Sequence, residues 1–154
     1  MLKLLVLAAA VAVPVYASQA GAKQPQPAGQ AITVYRTATC GCCGKWVDHL
    51  KAAGFAPAVH IVERTDAAPP AKGVPPQLRS CHSATLDGYN VEGHVPADVI
   101  KQLLKDRPKV QGIAVPGMPA GSPGMESANP VAYDVIAYDA AGKTSVFKRV
   151  EPRR

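Results

Sequence analysis

The chain has 154 residues and a mass of 16.0 kDa, with seventeen Lys and Arg against eleven Asp and Glu, a formal charge of +6 and 47% hydrophobic residues. That apolar fraction supplies one core and excludes wholesale disorder. The basic residues are scattered among the acids and aromatics make up only 5%, so the concentrated basic stripe with stacking rings that nucleic-acid binding needs is missing.

Met1 and Lys3, the apolar run Leu4 to Val15, and the small-residue site Val15-Tyr16-Ala17 predict a secretory signal peptide over residues 1–17. The run is too short for a bilayer, which takes ~20 residues, so no membrane insertion is expected. Residues 18–30 (SQAGAKQPQPAGQ) have nothing to bury and read as a flexible linker. Residues 31–150 are then expected to form one exported domain, rich in loops because the chain carries thirteen glycines and fifteen prolines.

Within that domain, residues 31–35 (AITVY) are apolar and β-branched and predict a short strand. Trp46, Val47 and Leu50 share one helical face opposite Lys45, Asp48 and Lys51, and Gly54 stops that helix. Residues 58–63 (AVHIVE) alternate as a second strand, which makes the opening a βαβ unit. Asp66 to Gln77 reads as loop with a helical turn or two, and Leu86 to Val91 as a hairpin around Asp87-Gly88. Pro96 opens a helix whose buried face is Val99, Ile100, Leu103 and Leu104, and Pro108 ends it. Residues 112–115 (GIAV) form a short strand leading into a Gly/Pro-rich loop. Val131 to Tyr138 and Thr144 to Val150 close the domain as an antiparallel hairpin, giving an α/β (α+β) chain with a central mixed sheet and flanking helices.

Three of the four cysteines fall in Cys40-Gly41-Cys42-Cys43, where a strand feeds a helix N-terminus. Unpaired N–H groups and the positive end of the helix dipole favour thiolates there, so these sulfurs should be nucleophilic or metal-bound. Cys43 leads the buried helical series, Cys40 precedes the helix and should be the exposed one, and Cys42 lies about 100° round from Cys43. A Cys40–Cys43 pair could form a redox disulfide, which leaves Cys42 over. The fourth thiol comes in Cys81-His82. If the fold returns it to the first helix, four sulfurs converge, and thiolate-rich sites select Cu(I), Zn(II) or iron–sulfur clusters. Met118 and Met125 suit a soft monovalent metal better than zinc, or else serve as packing filler. His82 adds an imidazole beside Cys81. His94 is expected to fix its loop by hydrogen bonding more than to bind metal, His60 to face solvent from its strand, and His49 to lie too far along the helix from Cys42 to share its ligand sphere.

These residues, together with Val74-Pro75-Pro76, Gly88-Tyr89, Glu92-Gly93-His94-Val95-Pro96, Arg107-Pro108 and the run Gly112 to Glu126, resemble the CopG-type periplasmic copper-resistance proteins over roughly residues 32–150. The resemblance implies a thioredoxin-like, metal-binding domain carrying a multinuclear Cu(I) cluster on Cys40, Cys42, Cys43 and Cys81. His82, Met118 and Met125 would then be neighbouring ligands, and Cys40 and Cys43 the redox pair of a metallo-oxidoreductase. It also implies a cis proline facing the cysteines, for which Pro116 is the candidate. Copper ions and other periplasmic copper-handling proteins are the implied partners. Two plainer readings stand beside it: a thiol–disulfide oxidoreductase using Cys40 and Cys43 without obligatory metal, and a zinc or structural-disulfide module.

Overall fold

The computed structural model describes residues 29–152; the expected signal peptide and nearly all of the expected linker lie outside them. β1 (Gln30–Arg36) buries Ile32 and Val34 and runs through Thr37 to Thr39 into α1 (Gly41–Ala52). Cys43, Trp46, Val47 and Leu50 recur at i, i+3, i+4 and i+7, so one stripe of α1 enters the core. Ala53 closes the helix with its N–H on the His49 and Leu50 carbonyls, and Gly54, at φ +89°, turns the chain at once into β2 (Phe55–Ile61). β2 pairs parallel with β1 from Gln30↔Phe55 to Arg36↔Ile61, which completes the expected βαβ unit. It starts earlier than residue 58 because Gly54 leaves no loop, and Pro57 is tolerated because β2 is an edge strand of the sheet.

Three single 3₁₀ turns (Thr65–Ala67, Pro70–Gly73, Pro76–Leu78) carry the proline-rich segment to β3 (His82–Leu86). Asp87 and Gly88, at φ 50° and 88°, form the two-residue turn into β4 (Tyr89–Gly93), as the Asp-Gly pair predicts. α2 (Ala97–Asp106) follows Pro96 and buries Val99, Ile100 and Leu103; it ends at Arg107 in the left-handed conformation, whose guanidinium pairs with Asp87. β5 (Gly112–Val115), β6 (Tyr133–Tyr138) and β7 (Thr144–Val150) complete a seven-stranded mixed sheet in the order β2-β1-β3-β4-β5-β6-β7. β6 begins two residues later than the alternation suggests because the Val131 N–H is bound to the Ala120 carbonyl in the preceding loop. The fold is thus mixed α+β, and no helix among the described residues is long and apolar enough to cross a membrane.

The expectation of a cis Pro116 is incorrect: no peptide bond among the described residues is cis. The chain reverses after β5 by positive φ angles at Gly117 (76°) and Met118 (49°) instead, so the turn needs no cis bond.

Strand directions fix where function can gather. β1 and β3 are antiparallel with Arg36 opposite His82, β3 and β4 antiparallel with Ser83 opposite Glu92, and β4 and β5 parallel with Gly93 opposite Val115. The end of β1, the start of β3, the end of β4 and the end of β5 therefore all meet at one end of the sheet. The cysteine loop, Cys81-His82, His94 and the loop 116–126 each emerge there.

Candidate metal centre

At that end, Cys40 is the N-cap of α1, and its sulfur takes the place of the usual capping oxygen by accepting the Cys43 N–H at 3.3 Å. The Arg36 guanidinium donates to the carbonyls of Thr37 (3.0 Å) and Cys40 (3.3 Å), which ties the loop to the end of β1. Cys43 is fully buried, as its place on the helical stripe predicts, whereas Cys40 and Cys42 are half-buried, so Cys40 is less exposed than expected. Cys40 and Cys43 are joined by a disulfide with Cα atoms 5.3 Å apart; Cys42 and Cys81 are free thiols. The Cys42 sulfur lies 3.5 Å from that of Cys40, and the Cys43 sulfur 3.5 Å from the Cys81 carbonyl.

Cys81, immediately before β3, is the residue that turns this loop into a centre. Its sulfur and those of Cys40, Cys42 and Cys43 all lie within 4.8 Å of one another, and it forms a second group of the same compactness with His82 and His94. The Cys81 sulfur is 3.3 Å from His82 Nδ1 and 3.1 Å from His94 Nε2. Two thiolates bound to one soft ion at ~2.3 Å each are at most ~4.6 Å apart, close to the 4.8 Å within which each group gathers.

The two imidazoles are held differently, His94 by a hydrogen bond and His82 by packing. His94 Nδ1–H donates to the Pro123 carbonyl at 2.8 Å, which leaves the Nε2 lone pair directed at Cys81. A backbone acceptor on the far nitrogen is the common support of a metal-binding histidine. His82 packs on Trp46 (ring centroids 4.3 Å apart) and edge-on to His94 (4.9 Å), and its Nε2 is buried without a hydrogen-bond partner. Trp46 is itself fixed by its Nε1–H on the Val95 carbonyl at 2.8 Å.

Burial, reinforced by the neighbouring His94, holds the His82 imidazole down at about 3, and burial likewise lowers His94 against the opposing Pro123 bond. Both rings are neutral at pH 7 and free to ligate. Burial, and then the nearby Cys42, push the Cys81 thiol up to about 12. Without metal it therefore keeps its proton and donates it to His94 Nε2, and a bound cation would replace that proton. The thiolate bias expected at the helix N-terminus does not extend to this residue, which sits across from the helix.

The loop 116–126 is closed over the cysteine helix. A Cβ on Gly124 would lie 2.5 Å from the Cys42 carbonyl and 3.1 Å from the Trp46 backbone nitrogen, so only glycine allows this approach. Glu126 accepts the Gly124 N–H at 2.6 Å and reaches Lys45 on α1 at 3.9 Å. Met125 is half-buried on this loop, while Met118 is 41% exposed on the preceding turn. His60 faces solvent and stacks on Tyr35, as its strand position suggests. His49 accepts the Ala97 N–H at 3.0 Å and so belongs to the entry of α2. His94 makes the loop-fixing bond expected of it, and the same bond aims the ring's other nitrogen at Cys81. Nothing in the local pattern Gly93-His94-Val95 announces this, because it depends on where β4 ends relative to β3.

Residues 78–125 match a family described as a protein of unknown function, DUF411. No curated protein matches the chain. Two solved structures, forms 1 and 2 of a copper resistance protein CopG, are 44% identical with a TM-score of 0.74; the matches cover 80% and 79% of this chain and 98% of each structure. The chain belongs to the CopG copper-resistance protein family. Within that family assignment, the convergent cysteines give it a cluster capable of binding metal. The matched segment 78–125 holds Cys81, His82, His94 and both loop methionines but not the triple-cysteine loop, so the two sides of the centre come from separate stretches of sequence.

Proposed function

We propose that the domain holds several Cu(I) ions on Cys40, Cys42, Cys43 and Cys81, with His82 beside them, and that it serves copper resistance in the periplasm after export. The observation that carries this reading is the double membership of Cys81, which is within ligand distance of both the thiol group and the imidazole group. If both groups are occupied, that sulfur bridges two ions, and bridging thiolates suit a soft monovalent cation. Charge balance points the same way: four thiolates around one divalent ion leave two negative charges in a half-buried pocket, whereas several monovalent ions neutralise them. Met125, in the loop closed over α1, and Met118, on the turn before it, are the thioethers assigned to the rim.

The closed Cys40–Cys43 disulfide supports an oxidoreductase role for the same residues. Opening it takes two electrons and yields two thiolates, so exchange with a one-electron copper couple involves two ions, each passing from Cu(I) to Cu(II) as the disulfide is reduced. The βαβ unit with the disulfide at its helix entry is also the basis for describing the domain as thioredoxin-like.

The test is native mass spectrometry after reduction and anaerobic loading with Cu(I) in the presence of equimolar zinc. More than one copper per chain, lowered in Cys42→Ser, is expected. A single bound ion, or preferential zinc, would reject the reading. Under the metal-independent alternative, Cys43→Ser accumulates mixed disulfides with protein substrates while Cys42→Ser and Cys81→Ser retain full function.

A further inference from the structure

Glu92 is fully buried on β4, opposite Ser83 of β3, and none of the metal-ligand groups includes it. Its Oε1 accepts the Ser80 N–H at 2.6 Å, and its Oε2 accepts the Ser83 hydroxyl at 2.5 Å. Those two donors flank Cys81-His82 on either side, so one carboxylate grips both ends of the dipeptide that joins the two ligand groups. The packing behind the grip is tight. A Cβ on Gly93 would lie 2.7 Å from the Ser80 hydroxyl and 2.6 Å from the Val115 carbonyl, so only glycine lets Ser80 come this close to the end of β4.

A carboxylate deep in a sheet is unfavourable unless its lone pairs are used. Ordinary β-pairing of Ser83 with residue 92 would be served as well by an apolar residue. The buried acid is accounted for by what precedes β3: residue 80 lies outside the ladder, and its N–H has no strand partner to fix it.

We propose that Glu92 is a positioning residue for the metal centre, whose two hydrogen bonds hold Cys81 and His82 against the cysteine loop. The proposal rests on the copper reading for its purpose, but its geometry can be tested without copper. Glu92→Gln keeps an oxygen for the Ser80 N–H and can donate to the Ser83 hydroxyl, whereas Glu92→Ala leaves both donors unpaired. Val99→Ala, in the buried face of α2, destabilises the domain without touching the grip.

Two readouts separate the outcomes. In the Cys42→Ser background with the Cys40–Cys43 disulfide closed, Cys81 is the one free thiol of the chain, and its labelling by iodoacetamide reads its restraint directly. Glu92→Ala should accelerate labelling several-fold, with Glu92→Gln and Val99→Ala staying near the parent. In the reduced full chain, competition with the chromogenic Cu(I) chelator bicinchoninate should show a ~10–100-fold loss of affinity for Glu92→Ala and a small loss for Glu92→Gln, as for other supports of metal ligands. Parent-like behaviour of Glu92→Ala, equal effects of Val99→Ala at matched melting temperature, or a Gln variant as impaired as the Ala one would each overturn the proposal. If Glu92→Ala does not fold, Ser83→Ala removes one bond only and should shift both readouts in the same direction by less; no shift would overturn it. A parent protein that takes up no copper sinks the copper reading, and the labelling arm still decides the role of Glu92.

Discussion

The two sides of the centre are built on different principles. Cys40, Cys42 and Cys43 come from four consecutive residues at a helix entry, where spacing alone sets their directions. Cys81, His82 and His94 come from the start of one strand and the end of its neighbour, and only the register of β3 on β4 brings them together. The first side is oxidised to a disulfide at Cys40 and Cys43; the second holds two neutral imidazoles and a protonated thiol. A locally encoded site tolerates change elsewhere in the fold, whereas a register-encoded one is only as good as the sheet beneath it.

The largest expected effect comes from removing the residue both sides share. Cys81→Ser should reduce Cu(I) bound per chain to one or none in anaerobic equilibrium dialysis. His94→Gln, which affects one side only, should leave the stoichiometry of the thiol side intact and weaken affinity by ~10–100-fold. Equal losses in the two variants would erase the distinction between the sides.

A second contrast lies in acid. In the metal-free protein His82 stays neutral down to about 3, while in the unfolded chain it protonates below its ordinary 6.5. The unfolded state therefore binds more protons as pH falls, so this residue's contribution is intact above pH 6.5 and is lost progressively towards pH 3, with a limiting slope of about 1.4 kcal/mol per pH unit. Glu92 works the other way. Burial raises its carboxyl to about 7 despite its bonds to Ser83 and Ser80, so stability from it is present below about 4.5 and lost as pH rises through 7. The informative quantity is thus a difference: urea midpoints of His82→Phe and the parent, from pH 7 to pH 5, should converge or cross as the parent loses its histidine contribution. Parallel lines would show that His82 is not held neutral by its surroundings.

How much of this was legible in the sequence follows the same division. The stripe Cys43, Trp46, Val47, Leu50 and the Asp87-Gly88 turn depend on near neighbours, and both form as their patterns predict. The convergence of Cys81 on the loop was conditional on the fold and could be reached only through resemblance. The aim of His94 at Cys81 is not legible in sequence, because a hydrogen bond donated by one ring nitrogen gives no sign of what the end of β4 turns the other nitrogen towards. The cis bond expected at Pro116 is absent, because Pro116 follows a strand whose reversal Gly117 and Met118 accomplish by positive φ. Glu92 is visible only as part of the motif that carries the resemblance, and its buried role is not, since a lone acid in a strand normally marks the solvent face.

The smallest effect tests whether the loop 116–126 belongs to the locally encoded side. Gly124 meets α1 through its missing side chain, at the Cys42 carbonyl and the Trp46 backbone nitrogen, and has φ +88°. Gly124→Ala must both strain the backbone and push the loop away from Cys42, and strain of this kind amounts to ~1–3 kcal/mol. Thermal unfolding of the metal-free protein should show that loss. If the loop also closes the copper pocket, the variant should release Cu(I) to bicinchoninate a few-fold faster at unchanged stoichiometry, because the thiolates remain while their cover is lifted. Faster release without lost stability would locate the loop's role in the pocket alone, and lost stability with unchanged release would show that the loop buttresses the helix and takes no part in holding the metal.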